Sequence, residues 1–129
     1  DYRGTSAASE SLLLLGDLYL ARQNTAKATE YFKKAADQGS SKTFKAMALH
    51  GLAYVYENSK QTDLAITTLQ QALSIGEPAI KPDASLALAR NYESKGEKAK
   101  ASALYDQIVK EFPNSGVSKM AETQKAQLK

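Results

Sequence analysis

The 129-residue chain contains no cysteine. Disulfides, thiolate catalysis and cysteine-ligated metals are excluded with it, while either redox compartment remains compatible. Long apolar stretches are missing as well: the run 12–15 is four leucines, far short of the ~20 residues that span a bilayer. The seven glycines are scattered singly, and neither GxxxxGK[ST] nor GxGxxG occurs, so no loop is present to cradle a phosphate. Histidine occurs once, at position 50, with no neighbour in sequence to complete a metal site or a nucleophile–base pair. Charge of one sign is not concentrated anywhere. The 17 basic and 14 acidic residues are spread along the chain and leave a net charge of +3. This is poor support for a polyanion partner, and the ten Tyr and Phe fall mostly at helix-core spacings rather than interleaved with Lys and Arg. No nucleic-acid partner, cofactor or metal is therefore expected.

What is present is globular composition, 43% hydrophobic and 24% charged. A chain of this length forms one domain and buries roughly two-thirds of its unfolded surface. It opens on Asp1 rather than methionine. A processed or excised piece of a longer protein is expected, with any signal or anchor lost with the missing part.

Three stretches read alike: Leu15-Gly16-Asp17-Leu18-Tyr19, Leu52-Ala53-Tyr54-Val55-Tyr56 and Leu88-Ala89-Arg90-Asn91-Tyr92. Their leucines are 37 and then 36 residues apart. Thirteen residues beyond each leucine comes Ala28, Ala65 or Ala101; four further on comes Phe32, Leu69 or Tyr105, and three beyond that Ala35, Ala72 or Ile108. Small residues let two helices approach closely, and the large ones between them fill the gaps, which is what antiparallel helix pairs require. Turn residues interrupt the pattern where helices must end. The spacing predicts helices at about 6–22, 25–38, 42–58, 61–75, 82–95 and 97–111, with Pro82 in a first turn, where proline is tolerated. A seventh, more polar helix follows Pro113-Asn114-Ser115 to about Leu128, with Lys119, Glu122, Gln124, Lys125 and Gln127 facing solvent as a cap on an open stack.

On these residues the chain resembles the tetratricopeptide repeat (TPR) family, whose units carry Leu, Gly or Ala, Tyr, Ala, an aromatic, Ala, and a closing proline, here Pro113 and, one place late, Pro78. The resemblance implies an all-α, right-handed solenoid of three helix-turn-helix repeats, about 9–40, 46–77 and 82–113, plus a capping helix at about 115–128, in a single domain over 1–129. Its units are two or three residues longer than the family norm. The segments Tyr2-Arg3-Gly4-Thr5-Ser6-Ala7-Ala8 and Lys110-Glu111-Phe112-Pro113-Asn114-Ser115-Gly116 also resemble junctions in bacterial envelope TPR proteins, of the YfgM-like and Tol-Pal-associated coordinator types. That implies a periplasmic or membrane-anchored location.

Tyr19, Tyr56, Tyr92, Phe32 and Tyr105 are expected buried or nearly so between helices, and Lys33, Lys34, Lys98, Lys100 and Lys110 on a solvated convex face. In the family, the opposite face of the first helices lines a concave groove. Stepping by three and four from the register gives Glu10, Leu13, Asp17 and Leu20 in unit one, Met47, His50, Tyr54 and Glu57 in unit two, and Asp83, Leu86, Arg90 and Glu93 in unit three. Surface carboxylates at helical spacing are ordinarily just solvated, and a lone histidine is ordinarily a packing or groove residue, so catalysis is not expected. Co-chaperone TPR domains clamp the terminal carboxylate of Hsp70 or Hsp90 with Lys, Asn and Arg. The corresponding positions here, Leu13, Asp17, Gly51, Asp83 and Ala87, offer no such donor. The expected function is non-enzymatic binding of a peptide or partner helix, apolar with basic residues. The rival is a structural, self-assembling or spacer element of a larger envelope protein, for which a homo-oligomer is compatible.

Overall fold

The computed structural model describes residues 5–128, which form seven α-helices: α1 Ser6–Ala21, α2 Thr25–Gln38, α3 Lys42–Asn58, α4 Thr62–Ile75, α5 Lys81–Ser94, α6 Lys98–Glu111 and α7 Gly116–Gln127. Every boundary lies within one residue or so of the periodicity-based expectation, and no strand occurs among the described residues. Side-chain caps account for four of the starts. Thr5, Asn24, Ser41 and Ser115 each accept a hydrogen bond from the amide three residues on, satisfying a donor that the helix itself leaves unpaired. Pro82 stands in the first turn of α5.

One turn is used three times. The amides of Asn24, Gln61 and Glu97 donate to the carbonyls of Tyr19, Tyr56 and Tyr92, while those of Gln23, Lys60 and Gly96 donate to Leu20, Glu57 and Glu93. This is the paired bonding of a helix closed by a left-handed residue. The three residues in question have φ of 59°, 61° and 88°. Identical turns reverse each first helix onto its second, so the tyrosine register serves the backbone as well as the core.

The nine register residues Ala28, Ala65, Ala101, Phe32, Leu69, Tyr105, Ala35, Ala72 and Ile108 are each no more than 2% exposed. Around them the core divides into three clusters in series: α1 to α4 around Phe32, α3 to α5 around Leu69, and α5 to α7 around Tyr105. Each cluster straddles a junction between units, as a stack stabilised by nearest neighbours should. Gly16 and Gly51 show how tight the first junction is. A Cβ on either would lie 2.6 Å from Cε1 of the buried Phe32 ring, which is held between α1 and α3.

Tyr56, Phe32 and Tyr105 are buried, and Tyr19 and Tyr92 are half-buried, Tyr19 packed against the first core cluster and Tyr92 against the second and third. Tyr19 stacks on Tyr31 with ring centroids 5.5 Å apart, and the Tyr92 hydroxyl accepts a bond from Gln70 while Lys100 lies over its ring. Both use one ring face or edge at the surface. The five lysines assigned to the second helices are all exposed, and Lys125 of α7 pairs with Asp106 of α6.

Candidate functional site: the face of the first helices

Register places one side of α3 and α5 against a shared hollow of about 250 Å³. His50, Ala53, Tyr54 and Glu57 line it from α3, Leu69 from α4, Asp83, Leu86, Ala87 and Arg90 from α5, and Met120 from α7. A second hollow of about 210 Å³ adjoins it between α1 and α3, lined by Leu13, Asp17, Phe32, Met47, His50, Gly51 and Ile80. His50 belongs to both, which makes the two hollows neighbours on one face.

Nine of the twelve groove positions read from the sequence line these hollows: Leu13, Asp17, Met47, His50, Tyr54, Glu57, Asp83, Leu86 and Arg90. Three do not. Glu10 is exposed on α1 outside them, and Leu20 packs half-buried against the first core cluster. Glu93 accepts a 2.9 Å bond from the Tyr105 hydroxyl and serves the third unit's interior. Leu20 and Glu93 share their register position with Glu57, which does line the hollow, so what separates them is the partner each unit supplies: the first core cluster for Leu20, Tyr105 for Glu93 and Arg90 for Glu57.

Apolar residues on the face differ in what they present. Leu13 and Leu86 are buried and form floor, together with Ala53, Ala87 and Leu69. Tyr54, Met47 and Met120 stand up from that floor, 47%, 41% and 55% exposed. Met120 lies outside the set read from the sequence, although the register contains it: Glu10, Met47, Asp83 and Met120 follow at 37, 36 and 37 residues. The seventh helix therefore repeats the first-helix pattern and closes the groove with an apolar side chain.

Charges on the face are mostly committed. Arg90 donates through Nε and a terminal nitrogen to the two carboxylate oxygens of Glu57, at 2.5 and 2.8 Å, and so clasps α5 to α3. This planar, bidentate pair holds the Arg90 guanidinium further above its ordinary range, and neither partner is a free charge. Asp83 and Asp17 have no ion-pair partner among the described residues. Partial burial pushes the Asp17 carboxyl up from its ordinary value, although the residue as a whole is exposed. Burial also lowers His50, opposed by Asp83, reinforced by Arg90 and opposed by Glu57, so the ring is neutral near pH 7. With Glu57 and Arg90 cancelling, the face carries a net negative charge from its two aspartates. No cluster of three or more His, Asp or Glu that could hold a metal occurs among the described residues, and no helix there is long and apolar enough to cross a membrane.

Comparison with known proteins agrees with this geometry. No curated protein matches the chain in sequence. Among solved structures, the Arabidopsis OM64 TPR domain is similar with a TM-score of 0.76 and 18% identity, over 94% of this chain and 96% of that one. A putative kinesin light chain with nearly identical TPR-like repeats, from Podosopora anserina, is similar with a TM-score of 0.77 and 20% identity, over 97% of this chain and 67% of that one. A point variant of that same protein gives 0.80 and 18%, over 97% and 66%. These likenesses bear on the fold. Two family profiles described as tetratricopeptide repeat match the sequence, one over residues 59–124 and the other over 2–43 and 13–83. With its helix pairs, repeated turns and register residues all accounted for, the chain belongs to the tetratricopeptide repeat family.

Proposed function

We propose that the chain binds a short segment of another protein, apolar with at least one basic residue, across the face formed by α1, α3, α5 and α7. TPR domains generally mediate protein–protein contact and are typically non-enzymatic scaffolds. The observation that carries the reading is the pairing of Tyr54, half exposed on the lining of the larger hollow, with aspartates that have no cation of their own among the described residues. An aromatic ring over an apolar floor supplies area, and unpaired acids supply preference for Lys or Arg. Glu57, Arg90 and Glu93 act within the protein rather than on the partner. The envelope location belongs to the same proposal and rests on the 110–116 junction, since Tyr2, Arg3 and Gly4 lie outside the described residues. Ser115 in that junction also has a structural task, bonding Phe112 and capping α7.

The test is titration of a partner recovered by cross-linking against folded variants at two salt concentrations. Tyr54→Ala is expected to weaken binding about thirtyfold, roughly 2 kcal/mol. Asp83→Asn should mainly slow association and flatten its salt dependence. Lys100→Ala, on the convex side, should change nothing. Unchanged binding in Tyr54→Ala beside a large loss in Lys100→Ala would move the site to the other face.

A further inference from the structure

The outer face of α1 carries Ala7, Ser11, Leu14, Leu18 and Ala21, at intervals of four, three, four and three residues. That is the seam spacing of two paired helices, and no charged residue interrupts it. All five are exposed, Leu14 at 61% and Leu18 at 43%. No helix among the described residues covers them.

The repeat shows what this face does elsewhere. In register, Ser11 corresponds to Ala48 and Ala84, Leu14 to Gly51 and Ala87, and Leu18 to Val55 and Asn91. On α3 and α5 these positions lie inside the junction with the preceding unit. Gly51 faces the Phe32 ring of α2, leaving no room for a Cβ, and Ala87 shares a core cluster with Leu69 of α4. The position is small there because a large side chain of the preceding second helix fills it. At Leu14 the space is filled from α1 itself. A further unit of the same pattern, bringing its own Phe or Leu to that place, would collide with Leu14. The face accepts instead a helix that meets leucine with leucine and has small residues on either side, and α1 is such a helix.

We infer that two copies of the chain associate through the outer faces of their α1 helices, related by a two-fold axis. A self-complementary stripe makes the closed, isologous pair of the commonest oligomers. Tyr31, whose counterpart Thr68 is buried, stands half-buried and stacked on Tyr19, the neighbour of Leu18 in α1, and adds a ring to the patch. Stable interfaces bury about 1,000 Å² or more in total. A single five-position stripe with one adjoining ring is modest on that scale, so the dimer is weak and concentration-dependent. The far end differs: the outward face of α7 carries Glu122 and Lys125, the latter tied to Asp106, so the stack does not extend by head-to-tail addition.

Sedimentation velocity of the chain, over a range reaching high micromolar, should show a monomer–dimer equilibrium. Leu14→Asp and Leu18→Asp, both at exposed positions, should each weaken it about tenfold or more while circular dichroism and melting stay unchanged. Because the chain has no cysteine, Ser11→Cys supplies a single site for a spin label, and labels there should couple between the two copies while labels at Lys100→Cys do not. Groove binding by the Leu18→Asp variant should be intact, which keeps this proposal separate from the one above. A chain monomeric throughout, or a dimer that survives both aspartate substitutions, that dissociates in Tyr54→Ala, or whose Ser11→Cys labels do not couple, would overturn it.

Discussion

Gln23, Lys60 and Gly96 occupy one backbone position in three copies of the same turn, all at positive φ. Left-handed backbone crowds a Cβ against the following carbonyl, and glycine alone escapes that cost. Nothing lies within 4 Å of a Cβ built on Gly96. Gly96→Ala is therefore expected to lose about 1 kcal/mol through the backbone alone, seen as a lower urea midpoint with an unchanged slope. Lys60→Gly makes the opposite exchange, relieving strain while freeing the unfolded chain, and should be neutral or stabilising by about 0.5 kcal/mol. A loss in Lys60→Gly equal to that in Gly96→Ala would show that the lysine side chain, not its φ, sets stability at this turn. Gly96 is legible in the sequence as a turn residue, since Lys-Gly separates two periodic segments. Gly51 is not legible there as a packing residue, because the ring that requires it comes from another helix, and only the folded junction brings Phe32 there.

At the scale of helices, the register is legible because burial acts on every copy alike. Ala65 is fully buried at the crossing of α4 with its neighbours, and Ala65→Phe should destabilise by about 1–3 kcal/mol or more as surrounding side chains leave their rotamers. Lys100 is exposed on α6, where its contacts with Glu97 and the Tyr92 ring are made in water, and Lys100→Phe should shift stability by no more than about 0.5 kcal/mol. Thermal melts of the two variants that coincide would mean the register is wrong. The candidate groove is legible to the same depth and no further. Helical stepping finds the nine residues that line the hollows because they share one face of α1, α3 and α5. It cannot tell a free charge from a committed one. Glu57 and Arg90 are 33 residues apart, and Glu93 and Tyr105 sit on different helices, so their bonds exist only once the helices pack. Nor can it separate floor from surface: Leu13 and Tyr54 are both apolar groove residues in sequence, yet one is buried and the other half exposed.

For the whole molecule the groove and the stack are coupled at His50, which borders both hollows and therefore the contacts between successive units. Its pKa is lowered from 6.5, with burial the largest cause, so the folded protein disfavours the imidazolium relative to the unfolded chain. The unfolded chain then takes up the proton first as pH falls, and stability falls with it. The contribution is fully present above about pH 6.5 and is lost progressively as pH drops through 6.5 toward the folded value. Glu111 also has a lowered pKa, held down by Lys81 and Gln107, but its contribution fades only below its ordinary value of 4.5. Between pH 7.5 and 5.5 the histidine therefore acts alone among these two groups. Urea midpoints should decline over that interval in the parent chain, and His50→Gln should flatten the decline while keeping the fold. Binding should follow the same sign, because an imidazolium beside Asp83 offsets the negative charge that attracts a basic partner. Affinity for a Lys- or Arg-containing segment is thus expected to hold near pH 7 and weaken on acidification, with His50→Gln again removing the dependence. If the parent became more stable on going from pH 7.5 to 5.5, or if His50→Gln kept the full acid-side slope, the ring would not be the buried neutral group that its place between the two hollows requires.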